Sequence, residues 1–241
     1  QMFWPNELAM LSRLDLKRAT SGADIGCGHG FVSALIASTF PQIKLCGLDI
    51  SEELISTARS VHGDIENLEF AIGSAYDIKL PDDSQDFIYS RLVYQHLSNP
   101  EKAIGEAFRI CASGGQIGIL DIDSELQLFS ENPPALKTLL SEISKAQRER
   151  GGNREIGRQL PLLLKEAGFS NIDIVLEPIS TLQIPLEQFC AITMGFAEWF
   201  IADDRGRKIY TAALNELTNL KKPIFAMLAV MFVYGRKLPN A

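Results

Sequence analysis

The chain has 241 residues, and 46% of them are hydrophobic, which is enough for the core of one domain with insertions. Its net charge of −7 argues against a strong electrostatic interaction with nucleic acid or an anionic membrane surface. No basic-then-apolar signal segment opens the chain, and its longest apolar run is too short to span a bilayer. The four cysteines lack CxxC and metal-ligand spacing, so we expect free thiols, no metal site and a cytoplasmic location.

Residues 1–20 place leucines at helical spacing among charged residues, after Phe3, Trp4 and Pro5. The pattern predicts a helix ahead of the first strand. Such a helix either packs against the domain or lies across the mouth of a binding site as a lid.

A glycine-rich loop, Asp24–Gly30, follows the first predicted strand and precedes a predicted helix at 31–40. Glycines at alternate positions let bare backbone approach a ligand, and the N–H groups at a helix N-terminus favour anionic groups. The next predicted strand, 43–49, ends in Asp49, which lies 19 residues after Gly30. A ribose-binding carboxylate is expected at about this distance from the loop of a nucleotide site.

Strands alternate with helices along the rest of the chain, which is typical of an α/β fold with a doubly wound parallel sheet. Two stretches, 122–152 and 178–223, interrupt this alternation. We interpret 1–241 as a single domain in which these helical insertions and the helix at 1–20 form a lid. The predicted strands are 22–25, 43–49, 68–72, 86–90, 116–121, 172–177 and 225–235.

Several motifs together resemble those of class I S-adenosylmethionine-dependent methyltransferases, in particular the small-molecule members called type 11 or ubiquinone-biosynthesis-like. DIGCGHG resembles their first motif, LDIS the acidic end of their second strand, and GSAYDIKLPDDSQDF their third-strand segment. RICASGGQIGILDID resembles the segment leading into strand five, and MFVYGRK the last strand. The resemblance implies a Rossmann-like sheet of seven strands with the last one antiparallel, S-adenosylmethionine as cofactor, and methyl transfer to an O, N or C atom of a small metabolite.

A dinucleotide oxidoreductase is the natural rival, because it also carries a glycine loop after its first strand. Its fingerprint is GxGxxG. Here the third glycine, Gly30, comes one residue early, and an acid precedes the first glycine. The methyltransferase type of site is therefore favoured.

The resemblance also implies roles for the residues that would hold the cofactor. Asp24 would hold the methionyl ammonium, directly or through water, and Asp49 would accept hydrogen bonds from both ribose hydroxyls. Ile50 would pack on the adenine. The three glycines of the loop would let the backbone pass beneath the methionyl part and the ribose: Gly26, Gly28 and Gly30. The alternative role for Asp24 and Asp49 is simple capping of the backbone.

Three further positions carry a less definite implication. Ser74 departs from the family, which usually places Asp there to accept from the adenine amine; Ser74 accepts without charge or is a bystander. Ala75 would use its backbone N–H on the ring. Arg91 resembles a recurrent arginine of some small-molecule members, where it binds the cofactor carboxylate or braces the loop.

Methyl transfer needs alignment, exclusion of water and, for some acceptors, a base. The base should lie beyond strand four or five, where the crevice of the sheet opens. Tyr94, His96, Asp121 and Asp123 are the candidates, and His96 has the most suitable intrinsic pKa. His96 stands in a QHL sequence before Asn-Pro, where a packing role is the alternative; the two aspartates could equally cap a loop.

Two groups on the acceptor side allow more than one interpretation. The basic group is either a solvated helix face or a source of one cation, Arg154 or Arg158, for an anionic substrate; it comprises Lys145, Arg148, Arg150, Arg154 and Arg158. The aromatic group either fills the core or lines an apolar pocket; it comprises Phe189, Phe196, Trp199 and Phe200.

An apolar lid with few basic residues suggests a small organic substrate rather than DNA, RNA or a protein tail. The sequence leaves open whether the protein is a monomer or a homodimer. Two other functions stay possible on the same fold: a cyclisation or elimination that uses the bound sulfonium without methyl transfer, and a non-catalytic binding protein.

Overall fold

The structure is a computed structural model that describes residues 7–194, 204–220 and 222–239. Its centre is a seven-stranded sheet in the order β3-β2-β1-β4-β5-β7-β6. The strands are β1 (Ser21–Ile25), β2 (Lys44–Asp49), β3 (Leu68–Ile72), β4 (Gln85–Arg91), β5 (Cys111–Phe129), β6 (Ser170–Ser180) and β7 (Ala226–Arg236). The first five pair in parallel, whereas β7 runs antiparallel to β5 and β6. The predicted α/β sheet with a reversed last strand is confirmed.

Eight helices of four residues or more lie in the described part of the chain. They are α1 (Glu7–Leu11), α2 (Phe31–Thr39), α3 (Glu52–His62), α4 (Pro100–Ile110), α5 (Pro134–Glu149), α6 (Leu160–Ala167), α7 (Leu186–Met194) and α8 (Asp204–Thr218). Ser51 caps α3 by accepting from the Leu54 N–H at 3.3 Å, and Asn99 caps α4 by accepting from the Lys102 N–H at 2.9 Å. Such caps each contribute about 1 kcal/mol to helix stability. Because Ser and Asn are preferred at this position, the starts of both helices could be predicted from the sequence. None of the helices in these ranges is long and apolar enough to cross a membrane.

The sheet separates two hydrophobic cores, because neighbouring side chains of a strand point to opposite faces. On β4, Phe87 packs in the core that contains Ile36 of α2 and Ile55 of α3. The next residue, Ile88, packs in the other core with Ile104 of α4. Burying each such side chain stabilises the fold by about 1.5–3 kcal/mol. The helices on both faces leave the carboxyl ends of the parallel strands as the open edge.

Strand β5 is much longer than predicted. Its pairing with β7 is interrupted after Ile122, which lies opposite Val230. The pairing resumes at Gln127, which lies opposite Leu228. Residues 123–126 therefore form a bulge, whose polar residues resemble a loop in the sequence. The predicted insertion at 122–152 is wrong over 122–129, and that at 178–223 is wrong over 178–180, because both segments belong to the sheet.

Residues 15–20 of the N-terminal segment lie at the opposite edge from the strand carboxyl ends. The Asp15 N–H donates to Oε1 of Gln116 at 3.0 Å, and the Thr20 N–H donates to Oδ2 of Asp86 at 2.7 Å. Asp86 and Gln116 are at the amino ends of the parallel parts of β4 and β5. The predicted lid is therefore wrong for residues 15–20. Phe3, Trp4 and Pro5 lie outside the described residues.

Candidate cofactor and acceptor site

The three loop glycines after β1 differ in what surrounds them. All have a positive φ, 75° at Gly26, 56° at Gly28 and 80° at Gly30, a conformation that favours glycine. A Cβ on Gly26 would lie 2.2 Å from Val93, and one on Gly30 would lie 2.4 Å from Phe70. A Cβ on Gly28 would meet nothing within 4 Å. Gly26 and Gly30 thus serve packing, while Gly28 presents bare backbone to open space.

Asp49 fixes this open loop and keeps capacity for a ligand. Its Oδ2 accepts from the Gly28 N–H at 2.9 Å, and its Oδ1 accepts from the Ser51 N–H at 2.9 Å. Each carboxylate oxygen has two lone pairs, so each can accept one more hydrogen bond. Ile50 follows with 76% of its surface exposed, so its side chain is open to contact with a ligand. A carboxylate with spare acceptors beside an uncovered apolar side chain fits a nucleoside, with its ribose diol and flat base.

Asp24 is more deeply placed than the other predicted cofactor residues. Only 2% of it is exposed, and the Ser33 hydroxyl of α2 donates to its Oδ2 at 2.5 Å. The carboxylate thus links β1 to the helix behind the loop. A contact from Asp24 to a ligand ammonium, direct or through water, stays a prediction.

Ser74 and Ala75 form a tight turn just after β3. The Ser74 Oγ accepts from the Tyr76 N–H at 3.2 Å, and the Ser74 carbonyl accepts from the Asp77 N–H at 3.1 Å. One lone pair and the hydroxyl proton of Ser74 are left for another partner. The contacts that both residues would make with an adenine stay predictions.

The chain turns sharply after β4, beside the glycine loop. Arg91 is the last residue of the strand and is half-buried. Leu92 then adopts a φ of 58°, a left-handed conformation that costs a non-glycine residue about 1–3 kcal/mol. Its N–H donates to the Leu120 carbonyl of β5 at 2.7 Å, which holds the strained turn in place. This turn delivers a short 3₁₀ helix, Tyr94–His96, to the open edge; the roles predicted for Arg91 stay predictions.

Tyr94 and His96 stand in opposite environments although one residue separates them. Tyr94 is buried, its hydroxyl has no hydrogen-bond partner among the described residues, and burial raises its pKa. His96 is reached by solvent, yet desolvation by the surrounding protein lowers its pKa, and the positive charge of Arg154 lowers it further. The imidazole is therefore neutral near pH 7, in the form that accepts a proton. The raised pKa of Tyr94 works against its predicted role as a base.

Asp121 holds the 3₁₀ helix in place from beneath. It is 0% exposed, and its carboxylate accepts from the Ile122 N–H at 2.8 Å and from the Gln95 N–H at 3.2 Å. Desolvation raises its pKa to about 7, although the backbone donors and Arg154 favour the charged form. Its predicted role as a base stays a prediction, and its contacts are those of a residue that positions His96.

Gln147 and Arg154 extend this buried polar network, and sequence reasoning missed Gln147. The side-chain amide of Gln147 donates to the Gln95 carbonyl at 2.6 Å, and its Oε1 accepts from Nη1 of Arg154 at 3.3 Å. Arg154 is only 7% exposed, and burial lowers its pKa to about 10 against the attraction of Asp121. Gln147 lies four residues after Ile143 and continues the buried face of α5, so helical spacing is the signal that could have found it.

Arg158, the other arginine considered for an anionic substrate, has a different environment. Its Nη2 donates to Oδ1 of Asp123 at 2.7 Å, and its Nε donates to Oδ2. This bidentate ion pair fastens the bulge of β5 to the second 3₁₀ helix, Ile156–Arg158. The charges of Asp123 and Arg158 therefore compensate each other.

The described member of the aromatic group belongs to the core. Phe189 is fully buried and packs edge-to-face on Phe129, with ring centroids 5.9 Å apart. The core interpretation therefore holds at this position. Phe196, Trp199 and Phe200 lie outside the described residues.

A family profile described as a methyltransferase domain matches residues 16–184, which is more than half of the chain. The chain belongs to this methyltransferase domain family. The matched part of the methyltransferase domain includes the glycine loop, Asp49, the turn after β4 and the buried network around Asp121.

Three similar proteins illustrate the relationship of this methyltransferase domain to others. An uncharacterised 37.1 kDa protein of a Streptomyces fradiae transposon is 30% identical over 164 residues, 67% of this chain and 46% of that protein. A Listeria monocytogenes demethylmenaquinone methyltransferase is 24% identical over 184 residues, 70% of this chain and 77% of that protein. The YcgJ protein of Bacillus subtilis has the same fold, with a TM-score of 0.68, 19% identity, and coverage of 96% of this chain and 97% of that one.

The length of the aligned region differs among these relatives. The alignments span only 33% to 46% of the length of four curated proteins that the methyltransferase domain matches. The family match and the structural match establish the family and the fold. Because these alignments cover less than half of each relative, the activity of the whole protein is a matter for proposal.

Proposed function

We propose that this protein transfers a methyl group from S-adenosylmethionine to an O, N or C atom of a small organic metabolite. One observation carries the proposal: the open backbone face of Gly28 lies beside a carboxylate with spare acceptors and the exposed side chain of Ile50. Membership of the methyltransferase domain family supports it. The relative named demethylmenaquinone methyltransferase is an example with a small organic acceptor.

Each cofactor residue would contact a different part of the cofactor. Asp49 would hold the ribose hydroxyls, Ile50 would cover one face of the adenine, and the backbone at Gly28 would lie against the ligand. When bound, S-adenosylmethionine supplies an electrophilic methyl group on a sulfonium leaving group. Asp24, Gly26 and Gly30 support the loop from behind, through their contacts with α2 and with packed side chains.

His96 is the residue that would take a proton from the acceptor. Its solvent-reached position, at the carboxyl edge beyond β4, suits contact with a substrate. Its lowered pKa keeps it neutral at neutral pH. Asp121 and Gln147 would orient it through the backbone of Gln95. The helical insertions beyond β5 and β6 would exclude water, and we propose them as the lid of this single domain.

The test begins with binding, because every version of the proposal needs it. Isothermal calorimetry should show one site for S-adenosylhomocysteine on the full chain, and no heat of binding would refute the proposal. Incubation with methyl-labelled S-adenosylmethionine and a metabolite extract should then place label in the organic fraction with an equimolar yield of S-adenosylhomocysteine. Turnover of an acceptor without S-adenosylhomocysteine would instead indicate cyclisation or elimination. Binding without any turnover would indicate a binding protein.

We also propose a small-molecule partner rather than nucleic acid, and a cytoplasmic location. The net charge of −7 supports the first, since phosphate backbones attract basic surfaces. All four cysteines are free thiols, which supports a reducing compartment. Monomer and homodimer both remain compatible with this function.

A further inference from the structure

Tyr76 joins the turn after β3 to the segment that follows His96. Its backbone N–H donates to the Ser74 Oγ at 3.2 Å, within the turn for which contacts with an adenine are predicted. Its phenolic oxygen accepts from the Asn99 N–H at 3.2 Å and lies 3.4 Å from the Ser98 Oγ, within hydrogen-bond distance. This side chain therefore connects the cofactor side of the crevice with the acceptor side.

The residues at the start of α4 explain why this hydrogen bond forms. Asn99 is the N-cap of α4, and the N–H groups at a helix start have no acceptor within the helix. In a capping box the third helical residue is Glu or Gln, whose side chain accepts from the N–H of the cap. That residue here is Lys102, which can only donate. The phenol of Tyr76 accepts in its place, and the Lys102 Nζ lies 5.9 Å from the centre of the phenol ring.

The segment from Val93 to Asn99 is short, and cofactor-side elements hold both of its ends. At its start, Val93 packs so closely on the glycine loop that a Cβ on Gly26 would lie 2.2 Å from it. At its end, Tyr76 accepts from the Asn99 N–H. His96 lies between these two contacts, three residues from each. A change in the position of the phenol therefore acts directly on the segment that places the imidazole.

The strength of this contact depends on how firmly the turn after β3 is fixed. Tyr76 is half-buried and packs with Ala75 on the core that contains Ile104 of α4, whereas Ser98 and Asn99 are exposed. Water competes for the Asn99 N–H, so the phenol keeps this hydrogen bond only while its ring is held in place. A ligand that contacts the turn in one position of the ring favours that position.

We propose that Tyr76 is a positioning residue that couples cofactor binding at the turn after β3 to the placement of His96. This inference rests on the proposed function and adds an order of events to it. Bound S-adenosylmethionine would fix the turn, the turn would fix the phenol, and the phenol would fix the segment that ends at Asn99. His96 would then be in place for the acceptor once the cofactor is bound.

Amide hydrogen exchange, followed by NMR on the full chain, tests this coupling without any acceptor. Exchange at the His96, Leu97 and Asn99 amides is compared with and without saturating S-adenosylhomocysteine. In the wild type we expect the ligand to slow exchange at these amides. In Tyr76→Phe, which lacks only the hydroxyl, the slowing should be smaller by about 2- to 10-fold, the value of one neutral hydrogen bond. The difference should be largest at Asn99, whose N–H loses its acceptor.

Tyr234→Phe is the matched control. Tyr234 is also half-buried, and its hydroxyl donates to Oδ2 of Asp173 at 2.9 Å, on β7 and β6. The slowing in this variant should equal that of the wild type. If Tyr76→Phe does not fold, Ser98→Ala decides: it removes the second partner of the phenol and should reduce the slowing at Asn99 by a smaller factor, and an unchanged value would overturn the proposal.

Two results with a folded Tyr76→Phe overturn the coupling. Equal slowing in the wild type and in this variant would mean that the phenol is only a local cap of α4. Unchanged exchange in the wild type with ligand bound would mean that cofactor binding does not reach the His96 segment. Calorimetry on the same samples distinguishes both results from failure of the proposed function, in which S-adenosylhomocysteine does not bind at all.

Discussion

The two sides of the crevice are built by different means. On the β1–β3 side, backbone conformation makes the site: glycines with positive φ, one carboxylate and an exposed isoleucine. On the β4–β5 side, buried polar groups make it, because Asp121 and Arg154 are almost inaccessible to solvent. Asp121 accepts from the Gln95 N–H in the turn of His96, and Arg154 is linked to the Gln95 carbonyl through Gln147. In the function that we propose, the first side holds the cofactor and the second side holds the methyl acceptor. Removing one group from each side should therefore change different quantities.

The largest effect is expected on the β4–β5 side. His96→Ala should lower kcat by about 10²- to 10⁴-fold, the usual contribution of a general base. The affinity for S-adenosylhomocysteine should stay the same, because His96 lies outside the glycine loop. Steady-state kinetics and calorimetry on the same preparation measure both quantities, with His62→Ala at the end of α3 as the control.

The same residue makes a prediction about pH. Because the pKa of His96 lies below its ordinary value of 6.5, the neutral base persists to lower pH, and kcat should fall only as the pH drops through that lowered pKa. This acid limb should be absent in His96→Ala. A variant with unchanged kcat would make His96 a packing residue.

A smaller effect is expected on the β1–β3 side. Asp49→Ala should weaken S-adenosylhomocysteine binding by about 1.5–3 kcal/mol, since it removes a charged acceptor and frees the Gly28 loop. Calorimetry should show this as a loss of about 10- to 150-fold in affinity. Glu53→Ala, an exposed acid in the first turn of α3, is the matched control. Unaltered affinity in a folded Asp49→Ala protein would mean that the carboxylate only caps the loop.

The smallest effect concerns stability and again separates the two sides. The pKa of Asp121 is raised from 3.8 to about 7 by burial, so the stability it contributes is present in full below about pH 4 and is lost as the pH rises through about 7. Between about pH 5 and about pH 8, the wild type should therefore lose on the order of 1–2 kcal/mol more than Asp121→Asn. Urea unfolding of both proteins at the two pH values measures the difference. His96 shifts stability in the opposite direction, but it does so in both proteins and cancels; parallel pH profiles would show that Asp121 is ionised throughout.

The fold could be predicted from the sequence because its signals are local. The glycine loop, the caps at Ser51 and Asn99, and the alternation of apolar strands with helices each depend on residues close together in the chain. Predicted and observed strands agree in number, order of direction and, for β1 to β4, in bounds to within a residue or so. The resemblance supplied the antiparallel last strand, which no local pattern requires.

The acceptor side could not be predicted in the same way, because its properties arise from encounters between distant segments. The polar residues of the β5 bulge resemble a loop until β7 pairs on both sides of them. Asp121 and Asp123 look equivalent in the sequence, yet one lies beneath the His96 turn and the other binds Arg158. Arg154 and Arg158 likewise acquire different environments only when the chain folds. Arg154 becomes buried beside Gln147, whereas Arg158 forms an ion pair with Asp123.

The sequence by itself determined the sheet, its loop and the carboxylate at the end of β2, since each depends on short-range conformational preference and on hydrophobic periodicity. The tertiary structure alone decided which charges are buried and which are paired. Burial and pairing depend on the low-dielectric surroundings assembled by α5, β5 and the 153–158 segment, and free energies of that kind have no counterpart in the order of residues along the chain.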